Sequence, residues 1–119
     1  MKIPAFKKNS KNDEVTWVDV ETDLLILTIR SGDLVIETED GTFELPNSLD
    51  EWAAVLEPYG FERSDRNCIV KLDRIVHHDE EVKLIYFDEK ADSKRLSATV
   101  SNKRWGRIKE FLKLRRQRD

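Results

Sequence analysis

The run His77-His78-Asp79-Glu80-Glu81 holds the residue types best suited to grip a metal ion or pass protons, since imidazole and carboxylate serve both purposes. Neighbours on a strand point to opposite faces, however, so His77 and His78 cannot easily close on one ion. Both histidines are expected in a loop, and the acidic residues after them read as a solvated turn. No glycine-rich phosphate loop or zinc spacing accompanies them, and Ser64, Ser97 and Ser101 lack the flanking pattern of a nucleophile elbow. The only cysteine, Cys68, lies between Asn67 and Ile69 in a strand-like run. It excludes an internal disulfide, permits a reducing compartment, and is expected to be a buried, inert thiol. Catalysis, a cofactor and a metal site are not expected.

Charge offers a different chemistry. The net charge of -3 by itself disfavours an anionic partner, yet residues 93–119 hold ten basic side chains against two acidic ones, a balance of +8, leaving -11 for residues 1–92. A chain polarised in this way presents one surface that attracts phosphate and another that repels it. A solvated basic tail would have the same composition.

The elements that must position these charges follow from local pattern. Residues 1–14 carry four lysines and no apolar stretch, and read as a flexible leader rather than a secretory signal. Residues 15–119 are then expected to form one domain with a single core and no receiver or sensor domain. The densest apolar run, Leu24 to Leu27, is broken at once by Thr28 and Arg30, far short of the roughly 18 residues of a membrane span. A cytoplasmic protein is expected. Val15–Val20, Leu24–Ile29, Leu34–Thr38 and Thr42–Leu45 are β-branched and aliphatic, and Asp40-Gly41 between the last two marks a hairpin. Ser48-Leu49-Asp50-Glu51 matches a capping box, so a short helix follows with Leu49, Trp52, Ala53 and Leu56 on one face, ended by Pro58 and Gly60. Further strands are expected at Cys68–Leu72, at Glu81–Phe87 with Val82, Leu84 and Tyr86 on one side, and at Leu96–Val100, with a polar loop from Asp88 to Lys94. Ser101 or Asn102 can cap a terminal helix that stacks Trp105, Ile108, Phe111 and Leu112 on one stripe. Lys103, Arg104 and Arg107 lie off that stripe near the helix N-terminus, where free backbone N–H groups also attract phosphate.

In this order the elements resemble a LytTR-type DNA-binding domain, the output domain of many bacterial response regulators. Three stretches carry the likeness: Asp23-Leu24-Leu25-Ile26 with Leu34 through Gly41, Ser48 through Trp52 continuing into Gly60 through Ile75, and Val100-Ser101-Asn102-Lys103-Arg104-Trp105. The resemblance implies a mainly β fold of stacked antiparallel sheets with a short central helix and a C-terminal helix. It implies a transcription regulator that sets loop residues into successive major grooves of double-stranded DNA, with a second copy on an adjacent repeated site. Arg66 corresponds to the family's contact before the valine-asparagine strand, Lys103 to the contacting arginine ahead of the last helix, and the loop Arg30, Ser31 to Asp33 supplies a third contact. Arg63, Asn67, Asn102, Arg104 and Arg107 complete the expected DNA-binding set. Lys103 is a point charge where arginine would offer a fork, so it is expected to hold phosphate rather than read guanine. The sequence departs from the family at Asp65, where histidine is common, at Lys71, where asparagine is usual, and at Asp33, which either reads cytosine N4 or points away. For the model to hold, Arg30, Arg63, Arg66, Lys71 and Arg74 must gather on the DNA side. A competing reading is a β-rich interaction module whose acidic first part binds a basic partner. Anionic-membrane association through the terminal helix would be marginal.

Overall fold

The computed structural model describes residues 1–7, 15–46, 48–87 and 96–118, with side chains through Arg115 in the last stretch. Ten strands and two helices follow in the order β1 (Lys2–Lys7), β2 (Val15–Asp19), β3 (Leu24–Arg30), β4 (Asp33–Thr38), β5 (Gly41–Glu44), α1 (Leu49–Leu56), β6 (Phe61–Asp65), β7 (Cys68–Lys71), β8 (His77–Asp79), β9 (Leu84–Tyr86), β10 (Ser97–Thr99) and α2 (Asn102–Arg118). They build a seven-stranded sheet in the order β2-β1-β5-β4-β3-β7-β6 and a three-stranded sheet β10-β9-β8. Every strand pair is antiparallel. No described helix is long and apolar enough to cross a membrane.

The large sheet is apolar on both faces because β3 and β7 are buried on both. Leu24, Leu27 and Ile69 join Ile36, Leu49, Leu56 and Phe61 in one core beneath α1. Leu25, Ile26, Cys68 and Val70 join Ile85, Ala98, Trp105, Ile108 and Leu112 in a second, beneath the small sheet and α2. Strict alternation would not split Leu24-Leu25-Ile26-Leu27 in this way; an irregularity in the β3/β4 register between Leu24 and Ile26 does. The unbroken apolar run is thus a strand covered on two sides.

Local signals explain the boundaries. The Glu51 amide donates to Ser48 Oγ (3.2 Å) and Ser48 Oγ to the Glu51 carboxylate (3.1 Å), closing the capping box of α1. Ser31 and Gly32, with φ of 51° and 85°, make the two-residue turn that joins β3 to β4. In α2, Trp105, Ile108 and Leu112 are buried and Phe111 is partly so, as the stripe requires. Ser101 does not cap it by its side chain, since its hydroxyl has no hydrogen-bond partner. Its amide instead donates to the Ser64 carbonyl (2.8 Å), docking the helix start on β6.

Three expectations are corrected. Lys2–Lys7 is not leader but an interior strand, paired with β2 and β5, because Ile3 and Ala5 alternate into the core at 4% and 0% exposure. Residues 8–14 and the expected loop Asp88 to Lys94 lie outside the described residues. The strand expected from Glu81 begins at Leu84, since the Asp79 carboxylate accepts from the Glu81 and Val82 amides (3.0 and 3.4 Å) and folds them into a turn. Leu84 and Tyr86 share one side of the strand as expected and Ile85 on the other is buried, while Val82 falls in the turn and is exposed. The histidines, expected in a loop, form β8 opposite β9.

Candidate nucleic-acid interface

β6 is the last strand of the large sheet, and α2 and β10 pack along it. Beyond it, Arg66 and Asn67 form an exposed two-residue turn into β7. Asp65 fixes that turn. One carboxylate oxygen accepts the Arg66 amide (2.7 Å) and the other accepts the Thr99 hydroxyl of β10 (2.7 Å). The departure at Asp65 therefore has a structural reason, because a side chain with two acceptor oxygens bridges a turn and a neighbouring strand at once.

The β3/β7 register brings a second loop to the same end. Thr28 lies opposite Cys68, and the Ile29 amide donates to the Asn67 carbonyl (3.2 Å). Two steps beyond the Thr28/Cys68 pair, that register sets Arg30 opposite Arg66, with Ser31 and Gly32 turning just past it and Asp33 cross-strand from Arg30. A hollow of about 180 Å³ between the sheets is lined by Arg30, Asp65, Asn67 and Thr99. A neighbouring hollow of about 370 Å³, on the flank of β6, is lined by Glu62, Arg63, Lys103, Arg104 and Arg107. Nine of the ten expected contact residues thus lie at these loops or hollows, and the tenth, Asn102, is the exposed first residue of α2.

Carboxylates occupy several of these cations. Arg30 pairs with the buried Glu37 (2.7 Å), Arg63 with Asp50 (2.6 Å) and Arg107 with Glu62 (2.6 Å). Among the described residues, the side chains of Arg66, Lys103 and Arg104 carry no such partner. The Arg63–Asp50 and Arg107–Glu62 pairs each have one well-exposed partner and hold by at most about 1 kcal/mol, so an anion can displace them. Glu37, by contrast, is buried and among the described residues would keep only the Thr42 hydroxyl if Arg30 left it.

Lys71 and Arg74 do not join the cluster. β7 runs away from the Arg66 turn, and Lys71 at its far end is 5% exposed, donating to the Val20 and Glu21 carbonyls (3.5 Å to the first) with its ammonium 5.7 Å from the Phe61 ring centroid. Arg74 donates to the Thr22 carbonyl (2.8 Å) and pairs with Glu39. Both fasten the turn between β2 and β3, so their charge is spent on backbone carbonyls and Glu39.

The chemistry considered at the histidines takes another form. His77 stacks on Tyr86 (5.7 Å between centroids) while His78 lies against Trp105 (5.9 Å), so the two rings serve opposite faces of β8. Glu80 pairs with Lys109 (2.6 Å), whose hydrogen bond and charge lower the carboxyl below its ordinary pKa and tie α2 to the β8–β9 turn. Burial pushes the Cys68 thiol up to about 11, leaving little thiolate at neutral pH. Sequence reasoning missed the Asp65–Thr99 link and the masking acids Glu37, Asp50 and Glu62, because no local pattern marks contacts between distant residues.

A family model described as the LytTr DNA-binding domain matches residues 14–113. No curated protein matches the chain. Among solved structures, the LytTr DNA-binding domain of a protein described as a methyl-accepting/DNA response regulator from Bacillus cereus superposes with a TM-score of 0.71 at 18% identity, covering 93% of this chain and 95% of that one.

Proposed function

Because the chain belongs to the LytTR family of DNA-binding domains, a family of transcription regulators rather than of enzymes, we propose that it binds duplex DNA in a sequence-specific manner through one end of its large sheet. The Arg66–Asn67 turn and the Arg30–Asp33 turn enter the major groove, and Lys103, Arg104 and Arg107 at the start of α2 hold the flanking phosphates. Arg63 and Asn67 line the approach between them, and Asn102 stands at the helix start. The carrying observation is the exposed Arg66, without an ion-pair partner among the described residues, on a turn held by Asp65 at the same end of the sheet as the Arg30–Asp33 turn. Loops reach base edges here and the helix supplies charge. Asp33, beside Arg30 at the turn, is suited to accept from cytosine N4.

The reading is tested by fluorescence anisotropy with pooled random duplexes at two salt concentrations, followed by selection of the bound sequences. Binding should weaken steeply with salt, because each neutralised phosphate releases counterions. A flat titration at low salt would defeat the proposal and favour a module that binds a basic protein.

The ion pairs supply a second expectation. Glu62→Gln frees Arg107 for phosphate, so affinity should rise roughly two- to fivefold, the value of one exposed pair, and the salt slope should steepen by about one unit. Unchanged affinity and slope in the same anisotropy assay would show that Arg107 stays clear of DNA.

A further inference from the structure

The two edges of the seven-stranded sheet differ. At one end β6 is flanked by β10 and α2, while at the other β2 pairs with β1 alone among the described residues. Edge strands are usually guarded by lysine, proline or a bulge, and Val15-Thr16-Trp17-Val18-Asp19 carries none of these.

The hydrogen-bond phase of this edge can be worked out. The Val20 amide donates to the Met1 carbonyl (2.8 Å), and the register pairs Val18 with Ile3 and Thr16 with Ala5. Antiparallel ladders alternate, so Val20, Val18 and Thr16 bond to β1, whereas Val15, Trp17 and Asp19 direct their backbone groups outward. Pro4, which has no amide to give, lies opposite Trp17, where the ladder needs none. Asp19 is already satisfied: its amide donates to the Asp23 carboxylate (3.1 Å) and its carbonyl accepts the Asp23 amide (2.9 Å). The open edge therefore comes down to the N–H and C=O of Val15 and Trp17. Their side chains are 44% and 63% exposed, and Phe6, across from Val15, is 37% exposed.

We propose that this edge binds a second copy of the chain, antiparallel about a two-fold axis at Thr16. In that register Val15 faces Trp17 of the second copy and Trp17 faces its Val15, so all four free groups on each strand are used in four hydrogen bonds. Each tryptophan lies cross-strand on a valine, a favourable aromatic and β-branched pair formed twice. A two-residue window offers a disordered peptide too few bonds to offset its ordering, whereas a second copy arrives already extended. The closed, self-complementary pairing stops at two. Since β6 lies at the far end of the sheet, the dimer leaves both proposed DNA-binding ends free and related by the two-fold, which calls for inverted half-sites. That last step alone rests on the proposed function.

Sedimentation of the free chain over a concentration series should show mass rising from 14.0 kDa towards twice that value. Thr16→Cys supplies the geometric test. A non-hydrogen-bonded antiparallel pair sets its Cα atoms about 4.5 Å apart, within disulfide range, so mild oxidation should link two copies through residue 16. Asp19→Cys, three residues from the axis, should not link, and buried Cys68 does not compete. Trp17→Lys, at an exposed position, should weaken association roughly tenfold or more by setting like charges across the axis. A chain that stays monomeric at high micromolar concentration, or a dimer in which Thr16→Cys fails to link, overturns the proposal. If Trp17→Lys does not fold, the Thr16→Cys result decides alone. A dimer that does not bind DNA would leave this inference standing and remove the functional one.

Discussion

Replacing Arg66 by alanine should weaken binding to the preferred duplex by about 1–3 kcal/mol, roughly ten- to a hundredfold, and flatten the preference at the base it reads. The side chain is exposed and has no ion-pair partner among the described residues, so the loss should fall on binding rather than on stability. Lys103→Ala provides the contrast. An ammonium on phosphate carries no sequence information, so this change should lower affinity evenly across duplexes and reduce the salt slope by about one unit. The discriminating measurement is a titration of each variant against the selected duplex and a scrambled one. Equal behaviour of wild type and the double variant at moderate salt would remove both residues from the interface.

The largest effect on stability is expected at Trp105, which is 7% exposed and packs with Ile85, Ala98 and Ile108 in the core under α2. Trp105→Ala should cost about 3–5 kcal/mol, read as a fall in the urea midpoint. Affinity for DNA should fall with it even where the chain stays folded, because the helix that presents Lys103 and Arg104 loses its central anchor. Trp105→Phe, which keeps a ring against His78, should retain most of both properties. A folded Trp105→Ala variant with full affinity would mean that α2 contributes little to binding.

Several features could be read from the chain because their causes are local. The Asp40-Gly41 hairpin, the Ser48 capping box and the Trp105-Ile108-Leu112 stripe each depend on residues within a few positions of one another. β1 escaped notice because lysines surround it and its inward residues are only Ile3 and Ala5, too small a signal to mark a strand. The start of β9 is set by the Asp79 carboxylate, which folds Glu81 and Val82 into a turn, and periodicity does not show a side-chain hydrogen bond of that kind. The arrangement of the site was harder still. Arg30, Arg63 and Arg66 share a sheet end with α2, yet Lys71 and Arg74, nearby in sequence, lie at the opposite end, and only strand direction separates them. The link from Asp65 to Thr99 joins residues 34 positions apart and becomes apparent only once β10 lies beside β6.

One consequence of the doubly covered β3 and β7 concerns how the molecule can come apart. Their aliphatic side chains belong to two interiors at once, so stripping away either layer would leave greasy carbon facing water along the middle of the remainder. Neither half is a stopping place during unfolding. Melting should therefore be a single all-or-none event, and a fragment trimmed back to either layer would have no shape of its own to keep.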